Sequence, residues 1–151
     1  MSTILEIENE LIEAFGLLDS WEEKYDYLIE LGQELPAMDP AQKTDSNLVK
    51  GCQSSVWLAV ECQDGRLCFQ ADSDSLVVKG MVAVLNKVFN HQPAGEVLES
   101  DLRFFESLGL WRHLSSQRGN GLTAMVSHLK QAAARCLGQA EALPATNPQE
   151  E

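Results

Sequence analysis

Cys52 is the residue whose type and setting best suit chemistry. It stands in the run Asn47-Leu48-Val49-Lys50-Gly51-Cys52-Gln53-Ser54-Ser55. Gly51 permits backbone shapes that other residues adopt only at a cost. Polar Gln53, Ser54 and Ser55 follow, so Cys52 is not inside an apolar stripe. A cysteine on a loop held by a rigid sheet is a reasonable nucleophile, and Lys50 or any Arg or His folding nearby would favour its thiolate. Composition also allows a small, buried, inert cysteine here.

The other three cysteines are Cys62, Cys68 and Cys136. No C-x-x-C pair occurs, and the spacings fit no common zinc module. Cys62 and Cys136 fall on apolar faces and read as packing residues. The chain opens without a basic, apolar leader, so the cytosol is the expected compartment. A reducing compartment argues against disulfides. Of the histidines, His91 falls at a helix end and His128 on the last helix. His113, after Trp111-Arg112, is placed to approach a loop. A Cys–His–Asp arrangement of Cys52, His113 and Asp74 would suit a thiol hydrolase or transferase, although surface or capping histidines are commoner. Arg118-Gly119-Asn120-Gly121 opens a helix with accessible N–H groups and a cation, an anion-friendly feature that also suits close packing.

These residues need elements to position them. The chain has 151 residues, enough for one domain with one core. Ile4, Ile7, Leu11, Phe15 and Leu18 recur at helical spacing. Ser20 and Glu23 have capping-box spacing, so a second helix starts at Trp21, with Trp21, Tyr25, Leu28 and Gly32 on one side. Pro36 ends it. Val56–Gln63 and Arg66–Ala71 alternate apolar residues around Asp64-Gly65, a strong hairpin signal. That turn pairs Cys62 with Leu67 and Glu61 with Cys68. Cys62 then faces the core and Cys68 the opposite side. Asn47–Val49 suggests a short third strand.

Ser73, Asp74 and Ser75 all suit the N-cap of a helix running to Phe89, with Val77, Met81, Val84 and Val88 buried. Short helices are expected after Pro93 and around Leu102–Leu108. Ser115 or Ser116 caps a last helix with Leu122, Met125, Leu129 and Cys136 on one face. The fold class is α+β, a small antiparallel sheet flanked by helices. Residues 1–138 form the single domain. The tail 139–151 is polar and proline-containing, and is expected to be disordered.

Charge and hydropathy exclude several functions. The net charge is −12, and residues 1–39 hold eleven acids against one base, Lys24. No basic stripe is present to replace counterions on nucleic acid or to meet an anionic membrane. The apolar runs are too short to span a bilayer. A basic protein partner is compatible with the acidic N-terminal stretch, as is a solvated helix face.

The run from Asn47 to Trp57 resembles the signature of the SufE/CsdE family of sulfur-acceptor proteins. Four further blocks appear in compatible order. They are Trp21-Glu22 with Tyr25 and Leu35-Pro36, Ala71-Asp72-Ser73-Asp74-Ser75 with Lys79-Gly80, Leu108-Gly109-Leu110 with His113-Leu114-Ser115, and Arg118-Gly119-Asn120-Gly121-Leu122. The likeness spans about residues 10–136. It implies a SufE/scaffold-like fold and a Cys52 that takes sulfane sulfur as a persulfide from a partner cysteine desulfurase. The chain would stimulate that enzyme and relay sulfur to an iron–sulfur scaffold or another recipient.

The resemblance implies no stand-alone turnover, no metal and no cofactor on this chain; pyridoxal phosphate belongs to the desulfurase. Gly51, as a hinge, and Gln53, Asp74 and Arg118 are the supporting or docking candidates. Asp74 reads equally as a helix cap. Cys62, Cys68 and Cys136 are outside the family signature. A metal- or cluster-binding scaffold is the remaining alternative and needs several cysteines to converge.

Overall fold

The computed structural model describes residues 2–100, 103–109 and 114–146. Helix α1 spans Ile4–Gly16 and opens with a capping box: the Thr3 N–H donates to Glu6 Oε1 at 2.8 Å and the Glu6 N–H to Thr3 Oγ1 at 3.1 Å. Ile4, Leu11 and Phe15 are buried, as the spacing predicts. Helix α2 spans Trp21–Gln33 behind the expected Ser20–Glu23 box. Its apolar side is buried only from Leu28 onward; Trp21 is 43% exposed. Lys24 of α2 closes the end of α1, its Nζ donating to the carbonyls of Phe15 and Leu18 at 2.9 and 3.1 Å. A cation there suits the negative end of the helix dipole.

Strands β1 (Val56–Gln63) and β2 (Arg66–Ser73) form the hairpin in the expected register, Cys62 opposite Leu67 and Glu61 opposite Cys68. Asp64 and Gly65 both take positive φ, 53° and 77°, as a tight turn matching the strand twist requires.

The third strand is not where the sequence suggests. Asp45–Asn47 winds into a 3-10 turn, leaving Leu48 a single bridge to Trp57. Instead β3, Gln92–Pro93, pairs with the other edge of β2. His91 makes this possible at φ 67°, turning the chain back so that its N–H reaches the Leu67 carbonyl at 2.7 Å. The sheet order is β1-β2-β3.

Helix α3 (Leu76–Phe89) lies between the sheet and α2, with α1 and α6 also against it. Nine of its residues are buried, including Val78, Met81, Val84 and Val88. Two glycines let α2 approach. A Cβ on Gly32 would sit 2.9 Å from the Gly80 nitrogen, and one on Gly80 would overlap the Leu28 carbonyl. Short helices α4 (Ala94–Glu99) and α5 (Arg103–Ser107) lead to α6, Ser116–Thr146. Ser115 caps α6 by accepting the Arg118 N–H at 3.2 Å. Leu122, Met125, Leu129, Ala133 and Cys136 are buried along it. Helical backbone runs on through Thr146, past the boundary expected at 138; the rest of that tail, 147–151, lies outside the described residues. Among the described residues, no helix is long and apolar enough to cross a membrane.

The cysteines require a correction. Cys62 and Cys136 are joined by a disulfide, with Cα atoms 5.4 Å apart and 74 residues apart in sequence. Each was expected to pack as a free thiol. The sequence placed them on apolar faces of β1 and α6, and those two faces pack on one another.

The α2–α3 contact gives a first test. Gly80→Ala gains about 1 kcal/mol of helix propensity but forces α2 off its seat, a loss of about 3 kcal/mol. Thermal unfolding should show a clearly lower midpoint. Gly95→Ala in α4, with open space at its Cβ position, should not lower it. Equal midpoints would show that the contact is not tight.

Candidate functional site

The site is built where the irregular stretch after α2 meets the start of the hairpin. That stretch is laid across the outer face of the sheet and pinned there. The Asp39 N–H donates to Gln70 Oε1 at 2.9 Å, and Lys43 pairs with Asp72 at 2.5 Å while lying 5.6 Å over the Trp57 ring. Lys79 of α3 shares the Asp72 carboxylate at 3.4 Å. Burial alone would raise the Asp72 pKa. The Lys43 contact, the Ser73 N–H and the charge of Lys79 outweigh it and hold the carboxyl below its ordinary range.

The Cys52 loop is fastened at both ends. At its start, the Val49 N–H donates to the Val56 carbonyl at 2.8 Å. At its end, three bonds grip Ser55. Its N–H donates to Asp74 Oδ1 at 3.1 Å, while its carbonyl accepts from Ser73 Oγ at 2.8 Å and from the Asp74 N–H at 3.2 Å. Ser73 is 7% exposed, and this pairing satisfies its buried hydroxyl. Between the anchors Gly51 adopts φ 96°, a shape suited to glycine, and a Cβ there would also press on Ala124 at 3.3 Å.

This path tucks Cys52 inward. Its Sγ lies 3.5 Å from the Gly121 carbonyl of α6, placed for the thiol to donate. A Cβ on Gly121 would be 3.5 Å from that sulfur, an ordinary contact. The sulfur borders a cavity of about 290 Å³ lined by Val78 and Met81 of α3, by Arg118, Gly121 and Met125 of α6, and by Gln53, Ser54 and Ser115. Burial pushes the Cys52 thiol above its ordinary pKa. Among the described residues, the expected help from a nearby cation does not outweigh burial in this tucked state. Lys50 is exposed, and Arg118 lines the cavity without offsetting the loss of water.

Of the sequence candidates, Cys52, Gln53 and Arg118 line this cavity, and Gly51 precedes them on the loop. Asp74 joins them through Ser55 and is not the helix cap: Ser75 caps α3, accepting the Val78 N–H at 3.4 Å. Asp74 instead holds the end of the loop. His113 lies outside the described residues, and the Asp74 carboxylate accepts the Ser55 N–H. Cys68 lies on the far face of the hairpin, its Sγ 3.4 Å from His91 Nδ1. Among the described residues, no three His, Cys, Asp or Glu side chains are grouped to hold a metal. Sequence reasoning missed the Ser73 latch. Its only signal was the Ser-Asp-Ser run, which read as three alternative caps.

Residues 9–133 match the SufE family, described as an Fe-S metabolism associated domain. The chain belongs to the SufE family. An uncharacterized SufE-like protein of Rhizobium meliloti (strain 1021) is 41% identical over 127 residues, covering 81% of this chain and 91% of that protein. An uncharacterized SufE-like protein of Rhizobium etli is 38% identical over 130 residues, covering 83% and 88%. A solution structure of a hypothetical protein from Thermus thermophilus shares the fold at TM-score 0.74 and 20% identity, covering 87% of this chain and 96% of that one. SufE membership ties this α+β domain to iron–sulfur metabolism and its sulfur transfer.

Two measurements follow from the loop geometry. Alkylation of Cys52 in the native protein should have its pH midpoint above that of an ordinary thiol, and return to the ordinary range on unfolding. The sign is that of an acid kept neutral by the fold. Its stabilising effect is complete below the ordinary thiol pKa and is lost as pH rises through the folded value. A native midpoint at or below the ordinary one would contradict the tucked geometry. In Asp74→Ala the Ser55 N–H loses its acceptor. Cys52 should then alkylate faster while thermal stability falls by only about 1 kcal/mol, and an unchanged rate would show that Asp74 does not hold the loop.

Proposed function

We propose that Cys52 accepts sulfane sulfur as a persulfide from a partner cysteine desulfurase, that docking stimulates this enzyme, and that the chain relays the sulfur to an iron–sulfur scaffold or another recipient in the cytoplasm. One observation carries the reading. In a chain of the SufE family, a free cysteine sits on a glycine-hinged, doubly anchored loop at the mouth of a cavity.

The chemistry needs one cysteine. A Cys52 thiolate attacks the terminal sulfur of the partner's persulfide. The bond between the partner's two sulfurs breaks, and the partner's thiolate leaves with the electron pair. Cys52 then carries –S–SH, and the proton given up by its thiol balances the one taken by the leaving thiolate. Sulfane sulfur changes carrier without net oxidation. The pyridoxal phosphate that generates the first persulfide belongs to the desulfurase.

The tucked state explains the hinge. A buried thiol is a poor nucleophile, since the thiolate is the attacking form. Swinging about Gly51 returns Cys52 to water and restores its acidity as a donor arrives. After transfer, the same pocket shields the persulfide from stray thiols, with Met81, Met125 and Val78 as its apolar walls. That Arg118 lines the pocket supports a role in meeting the anionic sulfur, and the exposure of Gln53 supports a role in docking.

Intact mass after incubation with a cysteine desulfurase and L-cysteine tests the proposal. A gain of sulfur mapping to Cys52 is expected, absent in Cys52→Ser and retained when Cys62, Cys68 and Cys136 are all replaced. No gain with either Suf-type or Csd-type desulfurase would overturn it.

A further inference from the structure

We infer that Cys62 and Cys136 form a second sulfur site, a dithiol–disulfide pair that exchanges with thiols and, when oxidised, clamps α6 to β1 and stiffens the walls of the Cys52 cavity. The inference does not depend on sulfur transfer at Cys52.

The placement of the bond carries it. Cys62 is the penultimate residue of β1, at the hairpin end. Strand β1 begins at Val56, straight after the Cys52 loop, and α6 carries Arg118, Gly121 and Met125 of the cavity wall. Strand β1 with the loop leading into it thus meets α6 at two places. At one end Cys52 lies against Gly121, and at the other the disulfide joins them covalently. From Gly121 to Cys136 the helix rises about 22 Å. Leu122, Met125 and Leu129 are buried along it, as is Leu58 on the strand. A rigid helix tied at one end to a rigid strand opens less at the other.

Access makes exchange chemically definite. Cys62 is partly exposed, whereas Cys136 is 1% exposed. An incoming thiolate therefore attacks Cys62 Sγ. The protein S–S bond breaks, and Cys136 leaves with the electron pair and takes a proton. A second thiolate attacks the outer sulfur of the mixed disulfide, releasing Cys62 and a low-molecular-weight disulfide. Two external thiols are oxidised for each protein disulfide reduced. A low-molecular-weight disulfide, as oxidant, runs the sequence backwards. The free cysteines do not interfere: Cys68 is on the opposite face of the hairpin, and Cys52 is at the other end of α6.

The test is a redox titration of the whole chain in graded ratios of reduced to oxidised glutathione, then dithiothreitol, with acid quench, alkylation and peptide mass. Two alkylatable cysteines are expected at the oxidising end and four at the reducing end, the change mapping to Cys62 and Cys136. The reduced form should stay folded with a thermal midpoint lower by roughly 10 °C. Its native Cys52 should alkylate several-fold faster. Four thiols at every ratio, or two at every ratio, overturn the exchange. Equal midpoints and equal Cys52 rates in the two forms overturn the clamp. A Cys62→Ala, Cys136→Ala double variant should match the reduced form at both ends of the titration; a Cys52 rate that still follows redox conditions would place the effect elsewhere and sink the inference. No readout involves a desulfurase, so its failure is distinguishable from failure of the Cys52 proposal.

Discussion

The close approach of α2 to α3 at Gly32 and Gly80 is the contact on which the arrangement depends. Helix α3 packs against the sheet, and its N-terminal turns supply the Val78 and Met81 walls of the cavity. It can bury nine residues only because another helix covers the side that the sheet does not. Two glycines bring that cover to backbone distance. The connection from β2 into α3 is then fixed in space. That connection is Ser73-Asp74-Ser75, which both starts the helix and grips Ser55 at the end of the Cys52 loop. Packing far from the sulfur is thereby converted into the position of the sulfur.

Much of this was legible because it is written in local patterns. The Ser20–Glu23 box and the Asp64-Gly65 turn are short-range devices, and each produced the element and register expected of it. Cys52 stood out for the same reason, with a glycine before it and polar residues after it. The failures have a common physical origin. Strand β3 is two residues long and exists because His91 turns the chain onto an available edge, which no periodicity encodes. The Cys62–Cys136 bond depends on which apolar faces meet across 74 residues. Compartment arguments spoke against it, but geometry brought the sulfurs together. Asp74 sat among three equally good caps, and only the fold chose Ser75 and released Asp74 for the loop.

Charge and burial pull in opposite directions at Cys52. A thiol kept from water is protected from oxidation and from stray electrophiles, but it is also a weaker nucleophile. Among the described residues, no cation offsets that balance while the loop is tucked. Reactivity is therefore governed by position rather than by a permanently activated thiolate. The Gly121 carbonyl reinforces this state, since it accepts from a thiol and would repel a thiolate.

The doubly fastened loop also sets a length. With Val49 held to Val56 and Ser55 held by Ser73 and Asp74, Cys52 lies three residues from either anchor. Three extended residues span about 10 Å. While the anchors hold, that is the full radius of the arm, measured from the end of the sheet. Any molecule exchanging sulfur with Cys52 must bring its own sulfur within that radius. The long reach belongs to the other side of the encounter, and this domain contributes a short tether on a firm base.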